Sequence, residues 1–194
     1  MDYSSNFEKK FLDIGTGDGR YIYKKALENP DNLYIGIDPA KNLEEYQRQI
    51  NRKRLKNAQL IQSSIENYDP KVENFFDEIS IILPWGNLLK YCVTVDKDFF
   101  QRISGWLKPG GDIKVIFGFN EELEEKETKR LNLRDLNEKE VEFLKENYSI
   151  LPNLQMTKFE NVFYLDLETI ETTWAKKLKF GANRNYFTIS LKKI

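Results

Sequence analysis

Apolar and polar positions fall in blocks that predict strand, helix, strand, helix from the start of the chain. Phe11, Leu12 and Ile14 form a short apolar run suited to a buried strand, and Tyr21, Ile22, Lys25 and Ala26 follow at helical spacing to about Glu28. Asn29-Pro30-Asp31-Asn32 is a turn cluster that ends this helix. Leu33 to Ile37 reads as a second strand, Asn42 to Lys56 as a helix, Gln59 to Gln62 as a third strand and Asp77 to Leu83 as a fourth. The fourth is nearly all apolar (Ile79, Ile81, Ile82), as a parallel strand covered on both faces should be. Asp98 to Leu107 reads as a helix stopped by Lys108-Pro109-Gly110-Gly111, and Asp112 to Phe119 as a fifth strand.

Beyond this point the pattern changes. Asn120 to Glu127 is acidic and helix-prone, and Glu138 to Tyr148 is an amphipathic helix. Leu154 to Phe159 is a strand candidate. Asp166 to Lys179 places Leu167, Ile170, Trp174 and Leu178 on one helical face, with Gly181 as C-cap. Asn185 to Ile194 alternates weakly and reads as the last strand. Strands alternating with helices predict an α/β fold with a doubly wound, mostly parallel sheet, as a single domain over residues 1–194.

The turn after the first strand carries the candidate chemistry. Gly15, Gly17 and Gly19 are spaced G-x-G-x-G, and Asp13 lies just ahead of them. Strand, glycine turn, helix brings bare backbone close to a nucleotide-like ligand. A carboxylate at Asp13 would repel a pyrophosphate and suits a ligand carrying an ammonium and a sulfonium. The stretch resembles motif I of the class I S-adenosylmethionine-dependent methyltransferases, D-x-G-x-G-x-G; the plainer alternative is a tight turn with incidental glycines. Asp38, closing the second strand, is placed to grip a ribose diol through charge-assisted hydrogen bonds, although Asp38-Pro39 also suits a helix start. Ser63 and Ser64, with Ile65 and Glu66 behind them, follow the third strand where this fold recognises adenine. Leu83-Pro84-Trp85-Gly86 ends the fourth strand and should border the reacting methyl group, since ligands of open parallel sheets sit beyond the C-terminal strand ends.

Composition narrows the chemistry. A net charge of −1 with 31% charged residues excludes a strongly cationic protein but not local basic patches. The absence of histidine removes His-based acid–base chemistry and His-ligated metals, and the lone Cys92 removes an internal disulfide and a cysteine metal cage. No run of apolar residues is long enough to span a membrane and no signal peptide opens the chain, so a soluble, cytoplasmic protein is expected. Two patches are locally basic. Arg48, Arg52, Lys53, Arg54 and Lys56 place five cations in nine residues without an acid. From Thr172 onward there are six (Lys176, Lys177, Lys179, Arg184, Lys192, Lys193) and again no acid.

Two of the three tryptophans fit a stacking role. Trp85 sits at a strand end facing the pocket, and Trp174 precedes the second basic patch; Trp106 reads as core. Stacking is worth roughly 1–3 kcal/mol per base, enough to offset flipping a nucleotide out of a helix. Enzymes that methylate an exocyclic adenine amine carry an Asn/Asp-Pro-Pro-aromatic signature at this strand end. Leu83-Pro84-Trp85 lacks that acceptor, which leans towards a ring nitrogen with a free lone pair.

Asp-Ile-Gly-Thr-Gly-Asp-Gly-Arg, Tyr-Ile-Gly-Ile-Asp-Pro, Leu-Pro-Trp-Gly-Asn-Leu-Leu and Trp-Ala-Lys-Lys-Leu-Lys-Phe-Gly resemble the aminoglycoside-resistance 16S rRNA methyltransferases of the Npm/Kam type. The resemblance spans nearly the whole chain from Phe11. It implies a Rossmann-like class I methyltransferase fold, with seven strands and an antiparallel last strand. It also implies methylation of N1 of a flipped adenine in the decoding site of 16S rRNA, and aminoglycoside resistance. The cosubstrate would be S-adenosyl-L-methionine, the product S-adenosyl-L-homocysteine, and the partner 16S rRNA in the assembled 30S subunit, met by a monomer with no metal and no membrane. Trp85 and Trp174 would hold the adenine. Asp13, Gly15, Gly17, Gly19, Asp38, Ser63, Ser64, Ile82, Asn87 and Thr172 would line the cofactor site. Arg52, Lys53, Arg54, Lys56, Arg130, Lys176, Lys177 and Arg184 would meet rRNA, with recognition segments at about 120–148 and 160–184. The family usually has a glutamate where this chain has Ile65; Glu66 or backbone would then serve the adenine amine. A methyltransferase acting on tRNA or a small molecule, or a non-catalytic cofactor-binding module, are the other readings. A small-molecule enzyme has no use for the carboxy-terminal basic stretch.

Overall fold

The computed structural model describes residues 7–120, 124–134, 136–162 and 186–194. A seven-stranded sheet forms its middle layer. The strands are β1 (Lys10–Ile14), β2 (Leu33–Asp38), β3 (Ala58–Gln62), β4 (Phe76–Ile82), β5 (Leu107–Phe117), β6 (Leu154–Val162) and β7 (Tyr186–Lys193). Their spatial order is β3-β2-β1-β4-β5-β7-β6, with β7 antiparallel to both its neighbours and the first five strands parallel. The strand order reverses at β1, which lies between β2 and β4, and such a reversal opens a crevice at the C-terminal strand ends.

Alternation along the strands sorts side chains to two faces. Phe11 and Tyr34 pack on α1 (Arg20–Glu28) and α2 (Leu43–Lys53), where Ile22, Ala26, Leu43, Ile50 and Leu60 form a small core. Leu12, Ile14, Ile35, Ile37, Ile79 and Ile81 feed the larger core, with Leu89 and Cys92 of α3 (Asn87–Thr94), Phe99, Phe100 and Ile103 of α4 (Lys97–Trp106), and Leu144 and Tyr148 of α6 (Glu138–Ser149). Asp96 caps α4 by accepting from the Phe99 N–H at 2.8 Å, and Asn137 caps α6. Trp106 is buried edge-on to Tyr68, a core residue as expected.

Three elements depart from the sequence reading. The helix α3 was not anticipated after Pro84-Trp85-Gly86. The expected helix stop at Lys108 to Gly111 is instead the start of β5, whose register with β4 shifts between Phe76 and Glu78. The acidic helix starts later than Asn120: α5 runs Glu125–Leu131. The expected helix at 166–179 lies outside the described residues.

Candidate active site

The cleft opens where β1, β2, β3 and β4 end. Its volume is ≈ 460 Å³, and its lining comes from the glycine turn, the Asp38–Asn42 turn, Ser63 to Glu66 and Leu83 to Leu88. The turn after β1 is fastened to β2 by backbone bonds from Gly15 N–H and Thr16 N–H to the Ile37 carbonyl, at 2.9 and 3.1 Å. Gly17 then takes φ +66°, which L side chains rarely adopt, and a Cβ built on it would meet no protein atom within 4 Å. The open side of this glycine is where a ligand can approach the backbone.

Asp38 is the anchor of the cleft. Its Oδ2 accepts from the Gly17 N–H at 2.9 Å and its Oδ1 from the Ala40 N–H at 2.8 Å. The second bond makes an Asx turn, and α2 begins only after Asn42, so Asp38 is not that helix's cap. Desolvation raises its pKa, against the two backbone donors, which lower it. A carboxylate has about four acceptor positions, so capacity remains for ligand hydroxyls.

Asp13 stands elsewhere. It belongs to the buried part of β1, opposite Ser80 of β4, and its Oδ1 accepts from the Ser80 hydroxyl at 2.6 Å. Burial pushes its pKa up to about 6; the Ser80 bond opposes this and the charges of Asp38 and Glu78 add to it. Asp13 does not line the cleft. Gly19 does not either: it precedes α1 and packs on Leu60, and Ile82 gives way to Leu83 as the strand's lining residue.

Ile65 and Glu66 both line the cleft but differ in burial. Ile65 is buried in the larger core, while Glu66 stands exposed at the rim, where Tyr91 Oη and Asn87 Nδ2 donate to its Oε1 at 3.1 and 3.3 Å. Partial burial raises its pKa, but hydrogen bonds from its own N–H, Ser64, Asn87 and Tyr91 outweigh this and hold it below the usual carboxylate range. Trp85 also lines the cleft, with 39% of its surface exposed.

The sequence-expected residues Gly15, Gly17, Asp38, Ser63, Ser64, Trp85 and Asn87 therefore meet in one cleft. Asp18, Pro39, Ala40 and Asn42 also line it and were not anticipated. The run of turn formers after each strand was their only signal. Among the described residues no group of acidic or cysteine side chains could hold a metal ion, and no helix is long and apolar enough to cross a membrane.

A family model described as NpmA: 16S rRNA (adenine(1408)-N(1))-methyltransferase matches residues 2–193. The chain belongs to this family. It is 32% identical over 192 residues to the Escherichia coli 16S rRNA (adenine(1408)-N(1))-methyltransferase, covering 95% of this chain and 87% of that one. A solved 30S ribosomal A1408 methyltransferase from an uncultured bacterium is 33% identical, with a TM-score of 0.67 over 97% of this chain and 89% of that one. The 16S rRNA (adenine(1408)-N(1))-methyltransferase from Catenulisporales acidiphilia, solved as a tryptophan-to-alanine mutant with cosubstrate SAM, is 26% identical, with a TM-score of 0.80 over 97% and 87%.

The rRNA-facing residues expected of this NpmA-family chain divide into three groups. Arg52, Lys53, Arg54 and Lys56 are all exposed at and beyond the end of α2, a helix of 11 residues that leads away from the cleft. Arg130 of α5 is exposed beside the Trp85–Gly86 turn, with its Nη2 3.8 Å from where a Cβ on Gly86 would stand. Lys176, Lys177 and Arg184 lie outside the described residues, as do Thr172, expected in the cofactor site, and Trp174, expected to hold the adenine.

Proposed function

We propose that this protein transfers a methyl group from S-adenosylmethionine to N1 of an adenine in the decoding site of 16S rRNA, within the 30S subunit. It would act as a monomer, in the cytoplasm and without a metal. It would thereby give its host aminoglycoside resistance. The observation that carries the reading is an exposed Trp85 lining the same cleft as the bare face of Gly17 and Asp38.

The residues present fit the cosubstrate. Asp38 would hold the ribose hydroxyls, the open side of Gly17 would admit the ligand against the backbone, and Ser63, Ser64 and Glu66 would face the adenine end. When bound, S-adenosylmethionine supplies a sulfonium methyl to the N1 lone pair, leaving S-adenosylhomocysteine and a cationic base. No proton has to be removed from N1, which agrees with a cleft that holds no histidine and leaves Asp13 buried against Ser80. Trp85 would stack on the flipped base and stabilise its developing charge, at roughly 0.5–2 kcal/mol. Trp174 is proposed as the second ring.

Docking would rest on cations outside the cleft. The Arg52–Lys56 cluster stands a helix length from the pocket, so it would hold the subunit rather than the reacting base; Arg130 stands beside the Gly86 turn of the cleft. The segments at about 120–148 and 160–184 are proposed to carry recognition within a single domain. Tritiated S-adenosylmethionine offered with 30S subunits, tRNA and no RNA tests the proposal. Label entering the 30S subunits alone supports it, and label entering tRNA instead would overturn the substrate.

A further inference from the structure

We infer that Glu127 is a positioning residue for Trp85, acting through the Arg130 guanidinium on the Gly86 turn. The inference rests on the cleft being the methyl-transfer site proposed above.

Gly86 is the joint between Trp85 and α3. It takes φ +62° and ψ −142°, a conformation essentially confined to glycine, and its carbonyl accepts from the Lys90 N–H at 3.2 Å to start the helix. A turn in so uncommon a conformation needs surroundings that hold it, because the angle at Gly86 sets where the Trp85 ring stands. The neighbour on its bare side is the Arg130 guanidinium, 3.8 Å from where a Cβ would be.

That guanidinium is fixed by Glu127 one helical turn earlier. Arg130 Nε donates to Glu127 Oε2 at 2.9 Å and Nη2 donates to Oε1 at 2.7 Å, a two-pronged pair that sets the plane of the cation as well as its place. The Glu127 side chain is only 15% exposed while Arg130 is 55% exposed, so the acid is tucked under the cation. The Gly86 amide also favours the ionised Glu127 carboxylate, after the larger effect of Arg130 itself. The Glu125–Lys129 pair of the same helix offers a contrast, with both side chains mostly exposed. One carboxylate thus ties an rRNA-facing cation to the turn that presents the stacking ring.

Labelling with 5-fluorotryptophan gives one fluorine resonance for each of the three tryptophans, with Trp85 assigned from Trp85→Phe. Glu127→Ala should move the Trp85 resonance, leave that of buried Trp106 in place, and lower kcat for 30S methylation by about ten- to a hundred-fold. S-adenosylmethionine affinity should not change. Glu127→Gln, which still accepts from Arg130, should restore most of the resonance position and part of kcat, and Glu125→Ala should match wild type. An unmoved Trp85 resonance with wild-type kcat in Glu127→Ala would overturn the inference. If wild-type protein methylated no 30S subunit, the functional reading would fail by itself, and the resonance alone would then decide the positioning role.

Discussion

The Gly17 N–H donates to Asp38 Oδ2 across 2.9 Å, joining the turn after β1 to the end of β2. The bond makes the glycine turn and the acid proposed to hold the ribose one unit. Asp38→Ala should lower S-adenosylmethionine affinity by one to two orders of magnitude, since charge-assisted hydrogen bonds contribute roughly 1.5–3 kcal/mol. Titration calorimetry reads this directly, and unchanged binding would remove Asp38 from the site.

Asp13 predicts a pH dependence of stability. Its folded pKa, about 6, lies above the unfolded value of 3.8. The folded state therefore binds the proton more tightly, and stability from this group falls as pH rises from about 4 to about 6. The full difference is on the order of 3 kcal/mol. Subtracting urea-unfolding free energies of Asp13→Asn from those of wild type should leave that falling slope. A flat difference between pH 4 and 6 would mean the carboxyl is not buried as described.

How much of this is legible in the sequence differs from element to element. All seven strands are readable, because each has glycine, proline or asparagine within two residues of at least one of its ends. The helix α3 is not, since Asn87 to Thr94 follows a glycine without a capping side chain and shows little charge contrast. Gly17 and Asp38 can be placed because a strand end fixes where they point. Asp13 cannot, because its alternation with Leu12 and Ile14 turns it away from the cleft and towards Ser80. The approach of Arg130 and Glu127 to Gly86 joins residues far apart in sequence, and no local pattern reveals it.

Exposed charges predict salt dependence. Reversing Arg52 and Lys53 to Glu should weaken 30S binding and reduce its salt slope by roughly one for each phosphate that is no longer neutralised. Both side chains are exposed, so melting temperature and cosubstrate affinity should hold. Filter binding over a range of salt concentrations checks this, and an unchanged slope would take the α2 end off the docking face.

Trp85 and Trp174 should behave as a pair. Trp85→Ala should lower turnover about ten- to a hundred-fold with little effect on 30S affinity, because phosphate interactions dominate docking. Trp85→Phe keeps a ring face and should retain part of the activity. If both rings hold one base, the double alanine variant should lose less than the sum of the two single losses. Strict additivity in single-turnover assays would separate the two rings.

Primer extension on 16S rRNA from 30S subunits treated with the protein and S-adenosylmethionine bears most directly on the proposed activity. A methyl at N1 blocks the pairing edge of adenine, so reverse transcriptase should halt immediately 3′ of one decoding-site adenine, and only when both protein and cosubstrate were present. Methyl label in the rRNA without that halt, or a halt at another position, would contradict the account.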